Sequence, residues 1–160
     1  MERVYRFEAN FTDLVPVGLV PEGIRLDAHF SGRIVEGPLT GGMVRGIDYL
    51  LFRPDGVGVI DVHELVTGPA DERISVRAYG YITPPAGVEL PPADVMLRAD
   101  FTWPDLELPL HGFALCQTAA ADLAWLNRTA LAFEGSANPG AGILLITASA
   151  LWPIPRPVPV

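Results

Sequence analysis

Apolar and polar residues alternate through most of the chain, in short runs broken by turn residues. Alternation with a period of two is the mark of strands that bury one face. Val4 to Thr12 reads as a first strand, with Tyr5, Phe7 and Ala9 on one side. Ile24 to Val35 follows, as one strand or as two meeting at Ser31-Gly32. Asp48 to Arg53 and Val57 to Val66 form a hairpin around Pro54-Asp55-Gly56, where proline presets the turn and glycine supplies a positive φ. Thr67 to Glu72 is a turn, and Ile74 to Ile82 is the answering strand. The proline-rich stretch Thr83 to Asp94 predicts a long loop, either a lid or a passive surface segment. Further strands are expected over Val95 to Trp103, Leu106 to Gln117 (interrupted at Pro109), Thr129 to Phe133 and Gly142 to Leu151. The one helical stretch is Ala119 to Asn127, with Thr118 as a possible N-cap.

Sixteen glycines and sixteen prolines punctuate these pieces, and many short strands with turns between them predict an all-β sandwich or barrel. No linker or repeat divides the chain, so residues 1–152 are expected to form one domain. Residues 153–160, rich in proline, form an extended tail.

Composition narrows the chemistry. Nineteen acidic residues against eleven basic ones give a formal charge of −8. Nucleic acid and anionic membranes are therefore poor partners, because both need a basic surface. All eleven basic residues are arginine. Without lysine there is no Schiff-base chemistry and no P-loop. A single cysteine, Cys116, excludes an internal disulfide and multi-thiolate metal sites. No signal-like or membrane-spanning run is visible, which predicts a cytoplasmic protein.

Strand parity sorts the reactive side chains. Val59, Asp61, His63 and Leu65 share one face, and Ile60, Val62, Glu64 and Val66 share the other. Tyr49, Leu51 and Arg53 share a face, as do Ser75, Arg77, Tyr79 and Tyr81. On one reading the polar faces line a cavity. Asp61 is then a base or orienting carboxylate and His63 a proton shuttle. Arg77 and Arg98 clamp an anionic oxygen, and Tyr49 and Tyr79 orient a carbonyl. On the other reading those faces meet solvent, and Ile60, Val62, Val76 and Ala78 fill the core. Trp125 either plugs a barrel end, with Asn127 bonding turn backbone, or touches a ligand. Three scattered histidines with no short motif argue against a metal site. No serine sits in a nucleophile elbow, and no glycine-rich turn opens a helix.

Several segments in this order, DYLLFRPDGVGVIDVHELV, VRAYG, VMLRADF and AWLNRTALAFEG, resemble the bacterial and fungal family called domain of unknown function 3237. The resemblance runs from about Phe7 to Leu151, with Pro104 to Gln117 longer than is usual. It implies a single antiparallel, calycin-like β-barrel with one short helix, a ligand-sized interior and a homodimer. The function expected is that of a small-molecule-binding barrel. It would be a cofactor-independent enzyme doing acid–base chemistry, of isomerase, cyclase or hydratase type, on a carbonyl-bearing or cyclic metabolite. The alternatives are a non-catalytic carrier or sensor and a structural dimer whose barrel is filled with side chains.

Overall fold

In the computed structural model, which describes residues 1–154, eight antiparallel strands close into a barrel. They are β1 (Glu2–Val20), β2 (Gly23–Glu36), β3 (Met43–Phe52), β4 (Gly58–Thr67), β5 (Arg73–Ile82), β6 (Leu108–Thr118), β7 (Leu131–Asn138) and β8 (Ile143–Ala150). Each strand pairs with the next along the chain, and β8 returns to β1, from Glu2 opposite Ala150 to Asn10 opposite Ile143. This up-and-down closure leaves no free sheet edge. It is the single antiparallel barrel that the family resemblance implies.

Several local expectations hold. Tyr5, Phe7 and Ala9 are buried together. The β3–β4 turn is closed by the Arg53 N–H donating to Val57 O at 2.9 Å, with Gly56 at a φ of 86°. Others need correction. The Ile24 to Val35 region is one continuous strand, because Ser31 and Gly32 stay in register with both neighbours. Pro109 does not interrupt β6; it lies on the exposed face opposite Ser136. Val95 to Trp103 is not a strand. A single-turn helix, α1 (Ala93–Met96), is followed by irregular chain. Prolines at 91, 92 and 104 remove ladder donors around this stretch, and a closed barrel offers no edge for a ninth strand to join. The expected helix appears as a 3-10 helix over Ala121–Arg128. Of the tail, residues 155–160 lie outside the described residues.

The alternating topology puts the turns 21–22, 53–57 and 139–142 and the long connection 83–107 at one end of the barrel. That connection caps the end. Leu90, Met96, Leu97, Trp103 and Leu106 pack against the core. Trp103 stacks near Phe52, with ring centres 6.0 Å apart. Asn138 Nδ2 donates to Asp105 Oδ1 at 2.6 Å, which latches the segment to the β7–β8 turn. A Cβ on Gly140 would sit 2.2 Å from Pro104 O, so only glycine allows this approach. At the opposite end Leu126 of the 3-10 helix is buried, and the Asn127 side chain brackets the Thr118 backbone with bonds of 2.8 and 2.9 Å.

Gly80 and Gly112 face each other across β5 and β6. A Cβ on Gly112 would lie 2.0 Å from Tyr79 O and 2.7 Å from the Phe133 ring. The absent side chains let the two strands approach closely where the wall curves. Gly112→Ala should therefore lower stability by about 1–3 kcal/mol through overpacking, read as a shift in the urea midpoint. An unchanged midpoint would show that the wall tolerates a methyl there.

Candidate functional site

The barrel interior is lined almost wholly by apolar side chains, among them Phe7, Phe30, Leu50, Ile60, Ala78 and Phe133. It encloses a narrow chamber with Trp103 at its capped end. The space open to the centres of water-sized molecules is about 70 Å³. That is well below the roughly 300 Å³ of pockets that take drug-sized ligands, so the chamber suits only a compact one.

Three polar groups reach into this apolar space: Tyr5 from β1, Asp48 from β3 and Glu64 from β4. Their placement follows from strand parity. Asp48 shares the inner face of β3 with Val44, Leu50 and Phe52, and Glu64 shares that of β4 with Ile60, Val62 and Val66. Asp48 is opposite Val62, and Glu64 is two residues further along the same strand. The two acids are thus diagonal neighbours, a separation of about 7–8 Å between Cα atoms. Gly46, opposite Glu64, has no room for a side chain. A Cβ there would meet the Phe30 ring at 2.7 Å and Glu64 Cβ at 2.8 Å.

The protein gives each acid one hydrogen bond. The Tyr5 hydroxyl donates to Glu64 Oε1 at 3.2 Å. The Asp61 N–H donates to Asp48 Oδ1 at 3.0 Å. This second bond replaces part of a strand ladder. Pairing of β3 with β4 skips Tyr49 and Leu50 opposite Ile60 and Asp61, and resumes at Leu51 opposite Val59. The second oxygen of each acid has no protein partner among the described residues, yet neither is an occluded orphan. Both side chains line the chamber.

Burial sets the protonation. Removal from water pushes Glu64 up to about 7, against the pull of the Tyr5 hydrogen bond. Burial likewise pushes Asp48 to about 7. The Asp61 N–H bond opposes this, the Asp61 charge adds to it, and Arg25 pulls it down. The Tyr5 phenol is raised by burial first and by Glu64 second. Cys116 is buried, and that burial pushes its thiol up to about 12, so it stays protonated and unreactive.

The sequence-derived site residues stand elsewhere. Of Tyr49, Asp61, His63, Arg77, Tyr79, Arg98 and Trp125, none lines the chamber. His63 and Arg77 are exposed, and Tyr49, Asp61 and Tyr79 are half-buried on the outer wall. They find partners there. The Arg25 guanidinium lies 5.3 Å from the Tyr49 ring centre, His63 meets Tyr49 edge-on at 6.0 Å, and Arg77 lies 5.7 Å from Tyr79. Asp61 Oδ1 is buried without a partner among the described residues. Arg98 is exposed in the capping segment, 3.6 Å from Asp94. Trp125 packs half-buried at the far end of the barrel. The expectation that the polar faces point inward is thus corrected. Their alternates Ile60, Val62, Val76 and Ala78 take the core because burying them releases far more water-exposed apolar area. Parity did carry a signal for the true interior polar groups, since Asp48 and Glu64 are lone acids on otherwise apolar faces.

Residues 1–151 match the family described as a protein of unknown function, DUF3237. The chain belongs to this family. No curated protein matches the chain. Among solved structures, a protein of unknown function from Clostridium acetobutylicum superimposes with a TM-score of 0.76 at 17% identity, over 94% of this chain and 98% of its own. A β-barrel-like protein from Acinetobacter baumannii gives 0.70 at 18% identity, over 93% of both chains. An enzyme from Penicillium herquei gives 0.56 at 18% identity, over 92% of both. At such identities the likeness establishes the shared barrel. Among the described residues no helix is long and apolar enough to cross a membrane, and no cluster of metal-ligating side chains occurs.

In the unfolded chain carboxyls titrate near 4, so between about pH 4 and 7 the folded DUF3237 barrel holds protons that the unfolded chain has released. Stability is then greatest below that window, falls as pH rises through it, and levels off above it. Glu64 alone accounts for on the order of 3 kcal/mol of this change. Urea unfolding from pH 5 to pH 8 should show the decline, and Glu64→Gln, with no proton to lose at that position, should remove about half of it and leave the part due to Asp48. An equal slope in the variant would show that Glu64 is not held protonated.

Proposed function

We propose that this DUF3237 barrel binds a compact apolar metabolite, carbonyl-bearing or cyclic, and moves protons on it with the Asp48–Glu64 pair. The observation that carries this reading is the pair itself: two acids lining an apolar chamber, each with one oxygen left without a protein partner among the described residues. Carboxyls held near neutrality by burial are matched to general acid and base work at physiological pH. The Tyr5 hydroxyl orients Glu64. The chemistry is of isomerase, cyclase or hydratase type and asks for no cofactor, since the acids supply both proton donor and acceptor. That a protein of the same fold from Penicillium herquei is an enzyme is in keeping with it.

The carrier reading shares the chamber but needs no proton transfer, and a barrel filled by its own side chains would bind nothing. One experiment separates them. In D2O the protein should speed deuterium exchange at the α-carbon of small cyclic ketones, followed by NMR. Asp48→Asn or Glu64→Gln should each slow that exchange at least a hundredfold, while His63→Ala on the outer wall leaves it unchanged. Binding without exchange would establish the carrier, and neither binding nor exchange would establish the filled barrel.

A further inference from the structure

The charges of the chamber are one-sided. Asp48 and Glu64 face it, while among the described residues every arginine and histidine lies outside the chamber lining. Arg25, the guanidinium nearest to Asp48 in effect, is on the outer wall, bound to Asp27 at 2.5 Å and stacked on Tyr49. An organic anion entering the barrel would lose its hydration and meet no positive group and two acids of its own sign. Such burial of an unpaired charge is prohibitive. The anion clamp expected from Arg77 and Arg98 is therefore absent from the interior.

The pair also discriminates against a cation. Each carboxyl is held near neutrality by its own burial, so around pH 7 the chamber populates a state with one acid protonated and the other ionised. That state presents one O–H donor and one carboxylate acceptor, from side chains on adjacent strands. An ammonium ion brings donors only and leaves the O–H unused. A ring ketone fits both: its carbonyl oxygen accepts the O–H, and its α C–H lies against the carboxylate. Nothing else in the chamber competes, since the Tyr5 hydroxyl is already committed to Glu64.

We infer that the chamber selects uncharged ring ketones bearing an α-hydrogen and rejects carboxylates and amines of the same shape. This rests on the proton-transfer reading of the same chamber and names its substrate class. The step is balanced. The protonated acid gives its proton to the carbonyl oxygen while the ionised one takes the α-proton, leaving the enol and a pair that again carries one proton. Return of a proton to carbon restores the ketone or an isomer of it, with no oxidant or reductant involved.

The test uses three probes of one shape at pH 7: cyclohexanone, cyclohexanecarboxylate and cyclohexylammonium. Binding is followed by NMR through the methyl signals of Val62 and Ala78, which line the chamber. Cyclohexanone should shift both signals and bind at least tenfold more tightly than either charged probe. Carboxylate binding of equal strength would overturn the class by revealing a cation in reach of the chamber. Tighter binding of the ammonium would overturn it by showing that both acids are ionised. Cyclohexanone bound without α-deuterium exchange would keep the class and sink the proton-transfer reading. Failure of all three probes would overturn both.

Discussion

The hydrogen bonds between β1 and β8 turn a meander into a tube, and the remaining features depend on that closure. In an open sheet a strand can expose either face in part. In a closed barrel of eight strands, alternate side chains are committed to an interior just wide enough to be filled. The same closure forces the connection 83–107 to serve as a cap, because no edge remains for it to extend. It also makes tight approaches such as Gly80 against Gly112 necessary, since the wall must curve while its ladders stay intact.

Within that interior two acids stand where apolar residues would be less costly. A buried carboxyl is tolerable when it is neutral or hydrogen-bonded, and both conditions are met in part. Tyr5 and the Asp61 N–H each satisfy one oxygen, and burial keeps the protons on. Among the described residues, what is missing from the chamber is a counter-ion. The described arginines sit on the outside, where Arg3 and Arg6 pair with Glu36 and Arg53 pairs with Asp55. The separation of acid inside from base outside gives the chamber its chemical character.

Much of the fold was legible because it is written in local signals. The Pro54-Asp55-Gly56 turn, the Tyr5–Phe7–Ala9 face and the strand parity of β4 and β5 all read correctly. The strand expected at Val95 to Trp103 does not form because the prolines around it remove ladder donors and the closed barrel leaves no edge to join. For the site, parity divides the residues properly, but burial of apolar area, and not reactivity, decides which face turns inward. Asp61, His63, Arg77 and Tyr79 looked like a site because they are reactive types set together. On the outer wall Arg77 stacks on Tyr79 and His63 meets Tyr49 edge-on, contacts that a single sequence does not display. The better clue was quieter: Glu64 between Val62 and Val66 in parity, and Asp48 between Gly46 and Leu50.

The skipped pairs between β3 and β4 give the wall an unusual joint. Where Tyr49 and Leu50 pass Ile60 and Asp61, the strands are tied by the Asp48 carboxylate and not by the backbone ladder alone. An ionised carboxylate is a strong acceptor for an amide N–H, and a protonated one is weaker. The tie therefore tightens or slackens with the protonation of Asp48. Titration on the inside is felt by the barrel as mechanics: one proton weakens or strengthens the hold between two strands, and Asp61 Oδ1, without a partner among the described residues, lies at the same joint.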